Sequence, residues 1–398
     1  MAKLSRRQLF IFGGIALGGG IAGAAQGFLF RYPANNNNTD TNSHSGTNSA
    51  GSAATNQPLN ASTHSKAPTK APTTAVSTNP KPAPQGLYAP LRGDVRLVVI
   101  SDLNSAYGAT DYRESVKTAV RLIPDWEPDL VLCGGDMVAA QSMSLNRTEI
   151  NAMWDAFDRY VSGPLRAAKL PFGFTIGNHD GSGALGSGGK FSFQTDRDAV
   201  RDYWRDASHN PNLTFVDRGD FPFYYTFAQN GIFYLVWDAS TAVISKTQLD
   251  WAAKAFSSKA AQEAKLRIVI GHLPLYGIAK GRDNYGNFLD DADQLRSFLE
   301  KHQVHTYISG HHHAYYPGHR GKLELLHAGV LGEGPRRLIA GNLPPNHTLT
   351  VVDIKLDQAE TVYTTYDMDT LKVVDQNTLP RMLNTPNGQV YRRDVPEV

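Results

Sequence analysis

Five short apolar runs, each ending at once in a polar cluster, set the rhythm of this chain. Arg96–Ile100 stops at Ser101-Asp102-Leu103-Asn104, and Asp129–Cys133 stops at Gly134-Gly135-Asp136. Phe172–Ile176 leads into Gly177-Asn178-His179-Asp180, Leu266–Ile270 into Gly271-His272, and Thr306–Ser309 into Gly310-His311-His312-His313. Continuous β-branched runs of this length suit strands buried on both faces. Helical stretches at about 112–123 and 148–161 separate the first three runs. This alternation predicts an α/β fold with its chemistry at the carboxyl ends of strands.

The second half has a different texture. Phe221–Ala228 and Gly231–Asp238 read as successive strands around the hairpin signal Asn230-Gly231. Helices near Lys246–Phe256 and Asp291–Lys301 precede the fourth and fifth runs, and Glu324–His327 and Thr348–Ile354 read as closing strands. Two halves that each send polar residues from strand ends predict two packed sheets with the site along one end. Trp251 and Phe256, at helical spacing, read as core, and Asp238 as a structural carboxylate.

Composition divides the chain into regions. Residues 33–86 are Asn, Thr, Ser, Ala and Pro with almost no large apolar side chains, too few to offset the entropy of ordering, so they read as a disordered linker. Before it, Ser5-Arg6-Arg7 precedes an apolar, Gly-rich stretch from Leu9 to Ala25. That pattern is similar to a twin-arginine export signal, with cleavage after Ala22-Gly23-Ala24, or to an N-terminal membrane anchor. Residues 1–32 are therefore read as an address to the periplasm or cell envelope, 87–374 as the folded domain, and 375–398 as a loosely packed tail.

Net charge is +2, but residues 1–85 hold seven Lys or Arg and one acid, Asp40. The remainder carries 32 basic and 36 acidic residues, a net of −4, which argues against a nucleic-acid surface. The single Cys133 excludes an intramolecular disulfide and a cysteine metal cluster. The folded chain is expected to be a monomer.

The clusters at the strand ends offer Asp, Asn and His. Such ligands suit Mn, Fe, Zn or Mg. A pair of divalent ions needs a shared anion, and an Asp supplies one. The ordered set Asp102-x-Asn104, Gly135-Asp136, Gly177-Asn178-His179-Asp180, Gly271-His272 and Gly310-His311-x-His313 resembles the calcineurin-like metallophosphoesterases over about residues 95–355. The resemblance implies a four-layer αββα sandwich of two mixed β-sheets flanked by helices, two divalent ions, and hydrolysis of phosphomonoesters or phosphodiesters by a metal-bridging hydroxide. It implies that Asp136 bridges both ions. Asp102, Asn104 and His313 would complete the first site, and Asn178, His272 and His311 the second. His179 would stabilise the phosphoryl group or protonate the leaving group, with Asp180 orienting it. His312 is left solvent-facing or structural.

Two departures matter. The family usually has His where this chain has Asn104, so the first ion would be held more weakly. A degenerate, non-catalytic metal-binding envelope protein is the alternative that this residue raises. The motifs also have some resemblance to purple acid phosphatases, which place a Tyr three residues after the bridging Asp. Here that residue is Ala139, so a tyrosinate–iron(III) centre is not expected. Tyr276, Arg282 and Tyr315 are candidate substrate contacts, and Gly181–Gly189 is a flexible or gating loop.

Overall fold

Two mixed β-sheets carry the chain, and the computed structural model describes residues 82–397. The leader read at 1–32 and most of the linker read at 33–86 lie outside the described residues. The first three strands are β1 (Val95–Ile100), β2 (Leu130–Cys133) and β3 (Phe172–Phe174), which pair in parallel. Next come β4 (Phe215–Asp220), β5 (Tyr224–Gln229), β6 (Ile232–Val236), β7 (Leu266–Ile270), β8 (Thr306–Ser309), β9 (Tyr315–Arg320) and β10 (Leu323–Ala328). The chain then forms β11 (Thr348–Lys355), β12 (Glu360–Asp367), β13 (Lys372–Val373), β14 (Met382–Thr385) and β15 (Gly388–Arg392). One sheet has the order β13-β12-β11-β1-β2-β3, the other β14-β15-β9-β10-β8-β7-β6-β5-β4.

Burial explains why the apolar runs are strands. Every residue of β1, β2, β6, β7 and β8 is buried, as parallel strands covered on both faces must be. Helices at Glu114–Leu122, Arg147–Phe157 and Gln194–Arg205 accompany the first sheet's parallel strands, and Lys246–Phe256 and Ala292–Lys301 connect β6 to β7 and β7 to β8. The helix at Arg147 starts where it does because Asn146 accepts from the NH groups of Thr148 and Glu149, while Glu149 reaches back to the Asn146 NH.

Several elements differ from the sequence expectation. The helix Gln194–Arg205 was not anticipated, since Asp196 and Arg197 lie on its buried face and blur the apolar period. β9 contains Pro317 and Gly318, which mask a strand pattern. The C-terminal segment is not a loose tail. β14 and β15 form a hairpin whose Tyr391 and Arg392 pair with β9, and Leu383 and Val390 are fully buried.

Candidate metal centre

The five polar clusters meet at one end of the two sheets. β1 and β2 deliver Asp102 and Asp136, β3 delivers Asn178 and His179, and β7 and β8 deliver His272, His311 and His313. Asp102, Asp136, His311 and His313 all have φ between 52° and 63°, left-handed conformations uncommon for residues other than glycine. Such strain concentrates at functional sites and is held by the surrounding fold. Glycines precede the ligand candidates for want of space. A Cβ on Gly177 would overlap the Asp136 carboxylate, and one on Gly310 would overlap Ser101 Oγ and press on Asp102 Oδ2.

Two groups of side chains converge, Asp136 with His272 and His311, and Asp102 with Asp136 and His313. Asp136 belongs to both. Asn178 joins the first group, its Oδ1 lying 3.0 Å from His272 Nε2 and 2.9 Å from His311 Nδ1. Gln141 fixes that orientation by accepting from Asn178 Nδ2 at 2.7 Å. Asn104 is buried beside the second group, with its backbone NH donating to the Asp136 carbonyl at 3.2 Å.

The donor set fits divalent cations on tautomer grounds. His313 Nδ1 faces the Gly334 carbonyl at 3.0 Å, and a carbonyl only accepts, so Nδ1 carries the proton. Its Nε2 lone pair then faces Asp102 Oδ1 at 3.2 Å and has no hydrogen-bond partner among the described residues. His272 repeats the arrangement. Its Nδ1 donates to the Gly134 carbonyl at 2.7 Å, leaving Nε2 toward Asn178 Oδ1 and, at 3.3 Å, toward Asp136 Oδ2. Asp136 Oδ2 is buried without a hydrogen-bond partner. Acceptors turned on acceptors in a buried site call for cations between them. Ligands about 2.1 Å from one ion and at right angles stand about 3.0 Å apart, close to these separations.

Without an ion, a proton on His272 Nε2 meets the same need, in the place a cation would take. Burial pulls the His272 imidazole down, yet Asp136 outweighs it and holds the group up at about 9. Burial opposes ionisation of Asp136, but His272 and His179 keep its carboxyl well below the usual range. Burial, with Arg282 next, pushes His311 far below the ordinary histidine value.

Around this core the structure corrects several assignments. Asp180 does not reach the His179 ring. Its carboxylate accepts from the backbone NH groups of Met137 at 2.7 Å, Val138 at 2.9 Å and Gly177 at 2.8 Å, tying the Asp136 loop to the His179 loop. Burial and the charge of Asp136 raise it to about 7. His179 donates its backbone NH to Asp136 Oδ1 at 2.8 Å, and its ring lies 5.2 Å from that of Tyr107. Burial lowers its pKa, with Asp136 opposing. Tyr276 does not line the site, because it is fully buried with its hydroxyl on Asp293 at 2.7 Å. Tyr315 is likewise in the core, hydrogen-bonded to Thr365. His312 is fully buried, receives the Ile278 NH at Nδ1 and donates from Nε2 to the Asn287 carbonyl, fastening the loop after β7.

Arg282 is the one substrate candidate at the centre. Its Nη1 stands 2.8 and 3.1 Å from the two ring nitrogens of His311, and its charge is felt at His179 and Tyr107. It is half-buried and forms no ion pair with a carboxylate among the described residues. Tyr107, Gln141 and Asn287 were not anticipated, since isolated Tyr, Gln and Asn residues in loops carry no distinguishing pattern.

The family model for calcineurin-like phosphoesterases matches residues 95–315. The chain belongs to the calcineurin-like phosphoesterase family. Its fold is similar to that of a purple acid phosphatase from yellow lupin (Lupinus luteus) seeds, with a TM-score of 0.50 and 16% identity over 72% of this chain and 54% of the lupin chain. The chain thus spans about half the length of that enzyme. GAP50, the anchor in the inner membrane complex of Plasmodium, aligns with a TM-score of 0.45 and 13% identity over 71% of this chain and 87% of its own. No curated protein matches the chain.

Proposed function

We propose that this member of the family hydrolyses phosphomonoesters, and more weakly phosphodiesters, at a centre of two divalent ions. The observation that carries the reading is the pair of ligand groups sharing Asp136, with the lone pairs of His272 and His313 aimed at carboxylate oxygens. When bound, the ions supply an activated water at neutral pH and offset charge on the phosphoryl oxygens. The chain holds them with Asp136 in common. Asp102, His313 and Asn104 serve one ion, and Asn178, His272 and His311 the other. Asn104 leaves the first group an imidazole short, so its ion is the weaker.

Arg282 is placed to clamp the phosphoryl group, as a half-buried guanidinium at the centre without a carboxylate partner suits an anion. Arg282→Ala should raise KM about tenfold or more with metal content unchanged. An unchanged KM would remove Arg282 from the substrate site. His179 stands beside the ligands with its ring packed against that of Tyr107, and its role is to assist departure of the alcohol. His179→Ala should lower kcat about 10²-fold without loss of metal. Metal loss in that variant would reassign His179 as a ligand.

The direct test is a panel of phosphomonoesters and diesters assayed with Mn, Fe, Zn and Mg. Metal-dependent turnover of an aryl phosphate is expected. Full metal occupancy with no turnover on any ester would favour the non-catalytic envelope protein that Asn104 raises.

A further inference from the structure

Beside the candidate centre lies a second concavity of about 650 Å³, a volume in the range of small-molecule sites. One wall is the segment after β3 that starts at Gly183, four residues beyond His179, and so within about 14 Å of it along the chain. The other wall is the loop after β6. β6 pairs in parallel with β7, with Val236 opposite Ile270, and carrying that register forward sets Asp238 level with His272. The Leu273 NH donates to the Ala239 carbonyl at 2.9 Å, so the two strand ends stay joined at this height. The concavity therefore opens one strand away from the ligand candidates, at the same end of the sheet.

Its lining is apolar where it is open. Leu185, Phe191, Tyr224, Ala242 and Val243 face it, and Leu185 and Val243 are each more than 60% exposed. Its charged groups are already paired. Arg197 is 4% exposed, donates to Asp238 Oδ2 at 2.9 Å and to the Gly181 carbonyl at 2.8 Å, and lies between the rings of Phe191 and Phe223. Asp220 is held by Arg201. A ligand thus meets apolar walls over neutralised charges. The Arg197 bond to Gly181 joins this floor directly to the short segment that carries His179.

The rim repeats the signal. The loops after β1, β2, β3, β6 and β7 each expose a large apolar side chain, namely Tyr107, Met143, Leu185, Val243 and Tyr285, all above 60% exposure. Scattered apolar residues are ordinary on a surface, but one on each of five loops at the same end of the sheets makes an apolar margin, which the loop after β8 does not join.

We propose that this concavity receives the alcohol portion of the phosphoester, and that the substrates are phosphoesters of apolar alcohols, alkyl in type, in preference to those of sugars or nucleosides. The proposal rests on the phosphoesterase reading above. With the phosphoryl group at the metals and Arg282, the departing oxygen lies near His179, and the carbon chain runs along the Gly183–Leu185 wall into the apolar space.

The test uses the full chain with its metals and a series of straight-chain alkyl phosphates from methyl to octyl, with glycerol phosphate as the polar control. kcat/KM should climb with chain length by up to about fourfold per buried methylene. Leu185→Asp and Val243→Asp, both at exposed positions that do not threaten folding, should flatten that climb and leave methyl phosphate turnover unchanged. Titration with octanol alone supplies a readout independent of catalysis, with binding expected in the parent chain and lost in both variants. A flat series together with no octanol binding overturns the proposal while leaving the phosphoesterase reading standing. Octanol binding without turnover of any ester supports the apolar site and overturns the reading of the metal centre. A chain-length dependence that both Asp variants retain also overturns the proposal.

Discussion

Asp136→Asn is expected to abolish turnover, by at least about 10³-fold, and to reduce bound metal to less than one ion per chain. Losing a single fixed group that stabilises a transition state costs about 10²–10³-fold, and Asp136 is common to both ligand groups. Two divalent cations side by side repel, and only an anionic ligand between them offsets that repulsion. The amide of Asn keeps the shape but brings no charge. Folding should survive, because Asn tolerates the left-handed backbone that position 136 adopts, at φ 54°. The backbone carbonyl of Asp136, which accepts from Leu103 and Asn104, is also untouched by the change. Circular dichroism, metal analysis and kinetics on an aryl phosphate together check the expectation. Turnover at the parent level would remove Asp136 from the centre and with it the two-ion reading.

Much of this centre is legible in the sequence because its parts obey a local rule. A fully buried strand must end where the chain reaches solvent, and the residues just beyond it are placed by the sheet, not by distant contacts. Asp102, Asp136, Asn178, His272, His311 and His313 all occupy such positions, so their convergence follows from strand order. The residues misjudged are those whose neighbours come from far along the chain. Tyr276 and Tyr315 lie close in sequence to ligand candidates, yet their rings are buried and their hydroxyls are taken by Asp293 and Thr365. Asp180 adjoins His179, but its carboxylate turns to backbone NH groups of the loop after β2. Arg282 arrives from the long loop after β7, whose course depends on His312 and Asn287. In the fold, the apolar runs of β1, β2, β7 and β8 were readable by burial. β9, β15 and the helix at Gln194 were hidden by Pro, Gly or charged residues within them, and β14 by being four residues long with only two apolar ones.

Arg96 shows the same limit inside a strand that was correctly read, and it sets up the largest expected effect on stability. It stands in an otherwise apolar β1 and is fully buried. Opposite it in the antiparallel register is Asp353 of β11, also buried. Arg96 Nε donates to Asp353 Oδ1 at 2.8 Å and Nη2 to Oδ2 at 3.1 Å, a two-pronged pair. Its remaining donors go to the carbonyls of Pro82, Trp126 and Pro90. Asp353→Ala leaves a guanidinium in the core without its counter-charge, and should cost about 3–5 kcal/mol. At about 2 °C per kcal/mol for a domain of this size, the melting temperature should fall by about 6–10 °C. Replacing both partners by apolar residues, Arg96→Met with Asp353→Leu, should recover only part of the loss. The double change removes the stranded charge but orphans three carbonyls that the guanidinium now satisfies. Both residues lie at the opposite end of their sheet from the metal centre, since β1 enters at Val95 and delivers Asp102 only after Ile100. Metal content and kcat of the folded protein should therefore be unchanged in both variants. A fall in melting temperature of under about 2 °C for Asp353→Ala would show that the pair is not what holds β1 to β11.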